Sequence, residues 1–260
     1  MSAVLKPSKS KSVKERVSRD EWDLRVNLAA AYHLAAYFKW TDLIYTHFSA
    51  RLPGHHEFLI NPYGLMFEEI TASNLIRIGH DGKVLDDPTG LGYNEAGFVI
   101  HGCVHEARPD ALCVLHTHTR AGVAVSAMKC GLLPISQHAM RVQRQVTYHD
   151  YEGVAHDMDE RTRMAKDLGK TSKAMILRNH GLLTLGESVR EAFEFMYYLD
   201  CACQIQVDAV AGGMDNVLQM SAPVAEATAR QLDRPNRPAA HKDWPALLRL
   251  LERKGSNYAS

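Results

Sequence analysis

Apolar residues at Trp22, Val26, Ala29 and Ala36, with His33 among them, recur at helical spacing to about Lys39. Ser18-Arg19-Asp20-Glu21 ahead of them has the S-x-x-E order of a capping box, so a long helix is predicted there. From Leu43 to Asp86 the pattern changes to the short β-like runs LIYTHFSAR, EFLIN, NLIRIG and KVLD. Gly54, Pro62-Tyr63-Gly64 and Asp81-Gly82 supply turns, which predicts one flank of a sheet built from hairpins. A helix from about Glu95 to Ala107 stops at Arg108-Pro109-Asp110. After it come a buried strand, VLHTHT, a helix near residues 121–129 and a short strand over Val146 to His149. A polar helix from about Met158 to Leu168, a buried strand Ala174 to Leu177 and a returning strand Gly181 to Gly186 follow. A long apolar-striped helix then runs from Glu187 to Ala211 and ends at Gly212-Gly213.

Strands alternating with helices, without a strong internal linker or repeat, predict one three-layer α/β/α domain over residues 18–213. Residues 1–17, rich in Lys and Ser with little to bury, are expected to be a disordered basic tail. Residues 214–260 carry Pro235, Pro238 and Pro245 and are expected to form a C-terminal extension against the body or a neighbouring subunit. Trp244, Leu247, Leu248 and Leu251 give that extension an i, i+3, i+4, i+7 stripe able to dock a helix.

With 260 residues and 46% hydrophobic content, the chain has ample material for a packed core. Thirty basic side chains balance thirty acidic ones, so the electrostatic footprint of a dedicated binder of nucleic acid or anionic membrane is missing. Small molecules or other proteins are the expected partners. No apolar run approaches the roughly 20 residues of a bilayer span and no signal core opens the chain, which makes the cytoplasm the expected location. Five cysteines, odd in number and mostly within apolar segments, read as reduced core thiols.

The candidate chemistry lies in histidines. His116 and His118 are two residues apart in a strand pattern, so their side chains share a face, and His180 follows another apolar run that breaks into a turn. Three neutral imidazoles with one open position suit a catalytic divalent metal. The chain has 14 histidines, and a structural histidine pair on a strand is the other reading.

The segments FSARLPG, INPYGL, GFVIHGCVHEARPDALCVLHTHT and LRNHGLLTLGESVREAF resemble, in order and spacing, the class II aldolase/adducin family over most of residues 22–213. AVSAMKCGLLPIS, YHDYEG and LRNHGLLTLGESVREAF with ACQIQV are especially similar to adducin head domains. The resemblance implies an α/β/α fold around a central, largely antiparallel mixed sheet. It also implies that His116, His118 and His180 hold zinc, or else manganese or iron, as the corresponding histidines do in L-fuculose-phosphate aldolase-like enzymes. Cyclic homotetramers with active sites at subunit boundaries are common in the family, so a homotetramer is expected.

Departures from the pattern matter. The glutamate that serves the sugar-phosphate aldolases as base lies 19 residues before the first metal histidine, the position of Gly97 here. Glu95 is the nearest substitute, with a favourable charge at a helix N-terminus as its other reading. The Gly-Asn that opens the family's phosphate-gripping turn is Thr46-His47, while Ser49 and Arg51 are retained and Asn61, Tyr63 and Gly64 occupy the second loop. These five and Arg120, with Gln137 beside it, are the expected substrate-binding residues. His138 falls about where the aldolases place an acid tyrosine and is a candidate proton shuttle, or else an interface histidine. Tyr258 is a candidate proton donor to a neighbouring site, or else a terminal residue without a role. His101 and His105, one turn apart on a helix, are expected to orient other groups or to pack, His101 through hydrogen bonds; His55 and His56 are expected in solvent.

Two classes of function are therefore expected. The first is a metal-dependent lyase cleaving a C–C bond, by retro-aldol reaction or decarboxylation, in a small oxygenated acid or sugar derivative. The second is a non-catalytic adducin-like interaction scaffold. A non-haem iron oxygenase stands further off, since three histidines also suit iron.

Overall fold

The computed structural model describes residues 11–153, 158–232 and 242–260. The order of elements is α1 (Val13–Arg16), α2 (Arg19–Tyr37), β1 (His47–Arg51), β2 (Glu57–Ile60), β3 (Ile76–Gly79), β4 (Val84–Asp86), α3 (Glu95–Ala107), β5 (Cys113–Thr117), α4 (Arg120–Ser126), α5 (Gln137–Val142), β6 (Val146–His149), α6 (Met158–Leu168), β7 (Ala174–Leu177), β8 (Gly181–Gly186), α7 (Val189–Val210), α8 (Ala222–Leu232) and α9 (Asp243–Arg253). The strands form a sheet in the order β4-β3-β2-β1-β5-β8-β7-β6, antiparallel throughout except for the β6–β7 pair. This is the mixed, largely antiparallel sheet that the family resemblance implies.

Strand alternation divides the core between the two faces of the sheet. Cys113 and Leu115 of β5 and Ala174 and Ile176 of β7 join α2, α4, α5 and α7 in the larger core. Val114, Met175 and Leu177 point the other way and pack with Ile100, Cys103 and Val104 of α3 and Met164 and Leu168 of α6. Phe58, Ile60, Ile76 and Ile78 form a third cluster on β2 and β3. By the same alternation His116 shares the α3/α6 face with Val114, and its antiparallel partner across the strand pair is His47.

Three expectations change. Ser18 caps α2 by accepting from the Glu21 backbone N–H at 3.1 Å, but the Glu21 carboxylate does not complete the box. It turns inward to Arg25, 2.9 Å away, whose guanidinium also donates to the carbonyls of Ala72 and Leu75. Part of the expected mobile tail is ordered: Val13 is buried and Arg16 reaches Asp86 at 3.3 Å, so one apolar residue and one cation find partners on the body. Residues 1–10 lie outside the described residues. The helix expected near residues 121–129 ends at Ser126, and tighter turns follow to Gly131, whose φ of 63° suits glycine. In the C-terminal extension, Trp244 and Leu251 of α9 are buried in this chain's own larger core.

Candidate metal centre

The end of β5 carries the site. The His116 Nδ1 lies 3.0 Å from the carbonyl of Leu182 on β8. A carbonyl only accepts, so Nδ1 carries the proton and Nε2 keeps a bare lone pair. His118 lies just past the strand, and its Nδ1 donates to the Asp42 carboxylate at 2.9 Å, so in the neutral ring Nε2 is the nitrogen without a proton. These two Nε2 atoms face each other at 2.8 Å. With both rings neutral, two lone pairs meet at that distance, an arrangement that a shared cation relieves.

His180 completes the arrangement from the β7–β8 turn. Asn179 takes the left-handed conformation, φ 54°, which asparagine tolerates better than most residues. A Cβ at Gly181 would lie 2.5 Å from the Thr117 carbonyl, so only glycine lets β8 start this close to β5. The Asn-His-Gly sequence is thus the backbone solution that swings the His180 ring over the strand end. The three imidazoles offer ligand atoms that all lie within 4.8 Å of one another, with ring centroids 4.7 to 4.9 Å apart. Burial, then the neighbouring histidines, pushes His116 well below the usual histidine range, and burial followed by His118 brings His180 down to about 4. Near neutral pH His116 and His180 are therefore uncharged imidazoles, the form in which histidine binds a metal.

A second histidine group adjoins the first. His47 lies beside His116, ring centroids 5.1 Å apart, and its Nδ1 is 2.8 Å from His101 Nε2. His101 Nδ1 meets Ser49 Oγ at 2.5 Å, Ser49 Oγ meets His105 Nε2 at 2.8 Å, and His105 Nδ1 meets the Ala111 carbonyl at 2.9 Å. Burial holds His47 and His105 down at about 3, and His101 well below its usual range. His47 also fills the space where a side chain at position 97 would go: a Cβ on Gly97 would lie 2.7 Å from its ring. The sequence reading passed over His47 because it stands where the family pattern has asparagine.

A further buried histidine, His149 at the end of β6, is flanked by Asp167 at 2.7 Å and Glu160 at 3.6 Å. Together with Ile100, Tyr151 and His180, His149 and Glu160 line a narrow cleft beside the triad. Neither acid was a sequence candidate, since their approach depends on how α6 packs.

The other candidates are dispersed. Glu95 is the exposed first residue of α3, and no hydrogen bond or ion pair joins it to the histidines. Ser49 is fully buried inside the histidine chain, and Asn61 accepts from the Tyr32 hydroxyl at 2.8 Å; both are consumed by internal bonds rather than aimed at a ligand. Arg51 shares a face with His47, but four residues of strand rise carry it roughly 13 Å away. There its guanidinium donates to the carbonyls of Arg108 and Ala111. Tyr63 is partly exposed and Gly64 takes a positive φ of 111° in the second loop. Arg120 is exposed at the start of α4 and lines a separate cleft with Trp40, Asp200 and Gln204. Gln137 and His138 are exposed on α5, where the His138 ring lies 6.1 Å from that of Tyr198. Tyr258 is buried against His33, and its carbonyl accepts from Ala72, which ties the terminus to its own body.

Residues 26–207 match the family model described as the class II aldolase and adducin N-terminal domain. An aldolase II superfamily protein from Pseudomonas syringae has a solved structure that is 52% identical, superposes with a TM-score of 0.92, and is matched over 96% of this chain and 100% of its own. The L-fuculose 1-phosphate aldolase from Glaciozyma antarctica PI12 is 28% identical with a TM-score of 0.79, covering 97% of this chain and 96% of that one. Alpha-adducin from Rattus norvegicus is 45% identical over 89% of this chain, which corresponds to 33% of the adducin's length.

Proposed function

Since this chain belongs to the class II aldolase and adducin N-terminal domain family, we propose that it is a divalent-metal-dependent lyase cleaving a C–C bond in a small oxygenated acid or sugar derivative. The observation that carries this reading is the pair of bare Nε2 atoms of His116 and His118, 2.8 Å apart and with the His180 ring close by. Three imidazoles, with no fourth ligand grouped with them among the described residues, suit zinc first, and also manganese or iron, with a position left for substrate. A divalent ion held there supplies Lewis acidity, stabilising the negative charge that C–C cleavage leaves next to a carbonyl.

The chain's own residues supply the frame. The Leu182 carbonyl and the Asp42 carboxylate fix the tautomers of His116 and His118, and the left-handed Asn179 sets the direction of His180. With Gly97 in place of the family's carboxylate, decarboxylation, which needs an electron sink more than a base for a hydroxyl proton, is favoured within the class. Ser49 and Arg51 are bound internally, so a grip on a phosphate group has weak support.

A homotetramer with sites at subunit boundaries is the proposed assembly, with exposed His138 free to serve at such a boundary. The cytoplasm is the proposed location; no helix among the described residues is long and apolar enough to cross a membrane. The second reading, an adducin-like scaffold, is favoured by the 45% identity to alpha-adducin.

Metal content is the first test of the lyase reading. Protein purified without added metal is expected to hold close to one equivalent per chain, and the double variant His116→Ala, His118→Ala is expected to hold none. Such a result justifies screening hydroxy acids and sugar phosphates for cleavage. No metal, and no uptake of zinc, manganese or iron, overturns the lyase reading in favour of the scaffold.

A further inference from the structure

The relay behind the site has a direction, set at its far end. The Ala111 carbonyl can only accept, so His105 donates from Nδ1 and its Nε2 must accept. The proton on that bond comes from Ser49, whose oxygen is then left to accept from His101 Nδ1. A neutral His101 with its proton on Nδ1 has a bare Nε2, which must accept from His47 Nδ1. Each neutral ring fixes the next, and the last link leaves His47 with a proton on Nδ1 and none on Nε2. That ring lies against Gly97, with its Nε2 2.9 Å from where a Cβ would be, and beside His116.

We infer that His47 stands in for the carboxylate absent at position 97, presenting to a ligand on the metal site an uncharged hydrogen-bond acceptor, Nε2, in a tautomer locked through His101, Ser49 and His105. This deepens the lyase reading and rests on it for the ligand. A glutamate would add a negative charge next to the ion, whereas His47 adds none. The site therefore receives anionic ligands with less repulsion, and the class it fits is an α-hydroxy carboxylate whose hydroxyl donates to Nε2. An exchange of an acidic base for a neutral acceptor is a change of substrate class written into two positions, 47 and 97.

The lock is read directly by long-range ¹H–¹⁵N correlation spectra of the histidine rings, in metal-free and zinc-loaded protein near neutral pH, the His47 signals being assigned by their loss in His47→Phe. The expected result is a single His47 tautomer with the proton on Nδ1, and a mixture in His101→Phe, which removes its acceptor. A proton on His47 Nε2 in the unmodified protein, or an unchanged single tautomer in His101→Phe, overturns the inference whatever the metal content. The acceptor role is read by binding of glycolate and of methoxyacetate, which has no hydroxyl proton to donate, to zinc-loaded protein. His47→Phe is expected to lower the preference for glycolate roughly tenfold at unchanged zinc content, the size of one hydrogen bond. An unchanged preference overturns the role. Failure to take up zinc sinks the lyase reading separately, and the spectra of the metal-free protein still decide the lock.

Discussion

Two groups of three histidines adjoin at one end of the sheet, and they differ in whether the protein satisfies them. In the group of His47, His101 and His105, each contact between rings and Ser49 has one donor and one acceptor, and the chain ends on a carbonyl. In the group of His116, His118 and His180, the outer nitrogens of His116 and His118 are fixed by Leu182 and Asp42, and the inner nitrogens face each other with no proton assigned between them. In the first group every internal contact is satisfied and one acceptor, His47 Nε2, is left over, whereas in the second, with neutral rings, two acceptors are set against each other. Residue type and burial alone therefore do not tell the two groups apart; the direction of each hydrogen bond does.

The largest expected effect that separates the groups comes from His105→Ala. It leaves a cavity and orphans Ser49 and the Ala111 carbonyl, so the metal-free protein is expected to lose about 3–5 kcal/mol in urea unfolding while zinc uptake by the folded fraction persists. Loss of zinc from the folded variant would show that the two groups form one unit.

Acid sharpens the comparison next. Burial holds His105 at about 3 in the folded state, against about 6.5 for an unfolded chain. Because the folded value is depressed, the unfolded state binds more protons between those limits, so the stability is fully present above about pH 6.5 and is lost as pH falls toward 3. Metal-free protein is expected to lose about 2 kcal/mol through this group between pH 6.5 and 5. His105→Phe is expected to remove that share of the slope; an identical slope in the variant would assign the acid sensitivity to other groups.

Asp42→Ala acts on the triad alone. Removing the acceptor of the His118 Nδ1 proton frees the ring to turn, and zinc affinity is expected to fall roughly tenfold. Asp42 is about half exposed, so the midpoint of the metal-free protein should barely move. The smallest effect is expected at Glu95, exposed on the first turn of α3: Glu95→Gln should change stability by less than about 0.5 kcal/mol and leave zinc binding intact. A marked fall in zinc affinity in this variant would bring Glu95 back to the site.

Much of the fold was legible because local pattern and tertiary packing agree. The short apolar runs 174–177 and 181–186 and the polar stripe of 158–168 appear as β7, β8 and α6 with the bounds that the pattern predicts. The three histidines of the candidate site were legible for a similar reason, since His116 and His118 are close in sequence and His180 sits at a turn marked by Gly181. Arg51 lies away from the triad because alternation fixes its face and not its distance along the strand. Burial of Tyr258 was not legible, because it depends on which surface the terminus meets, here His33 and Ala72.

The sequence alone determined which side chains share a face: His47 with Ser49 two residues on, His101 with His105 one helical turn on, and Phe48 and Ala50 on the opposite side of the strand. Periodicity within an element fixes such pairings because they follow from backbone geometry. Only the tertiary structure decided that the β1 face meets the α3 face, that His47 pairs with His116 across the strands, and that its ring occupies the space above Gly97. Register and packing between elements are set by the whole core at once, and no local spacing encodes them.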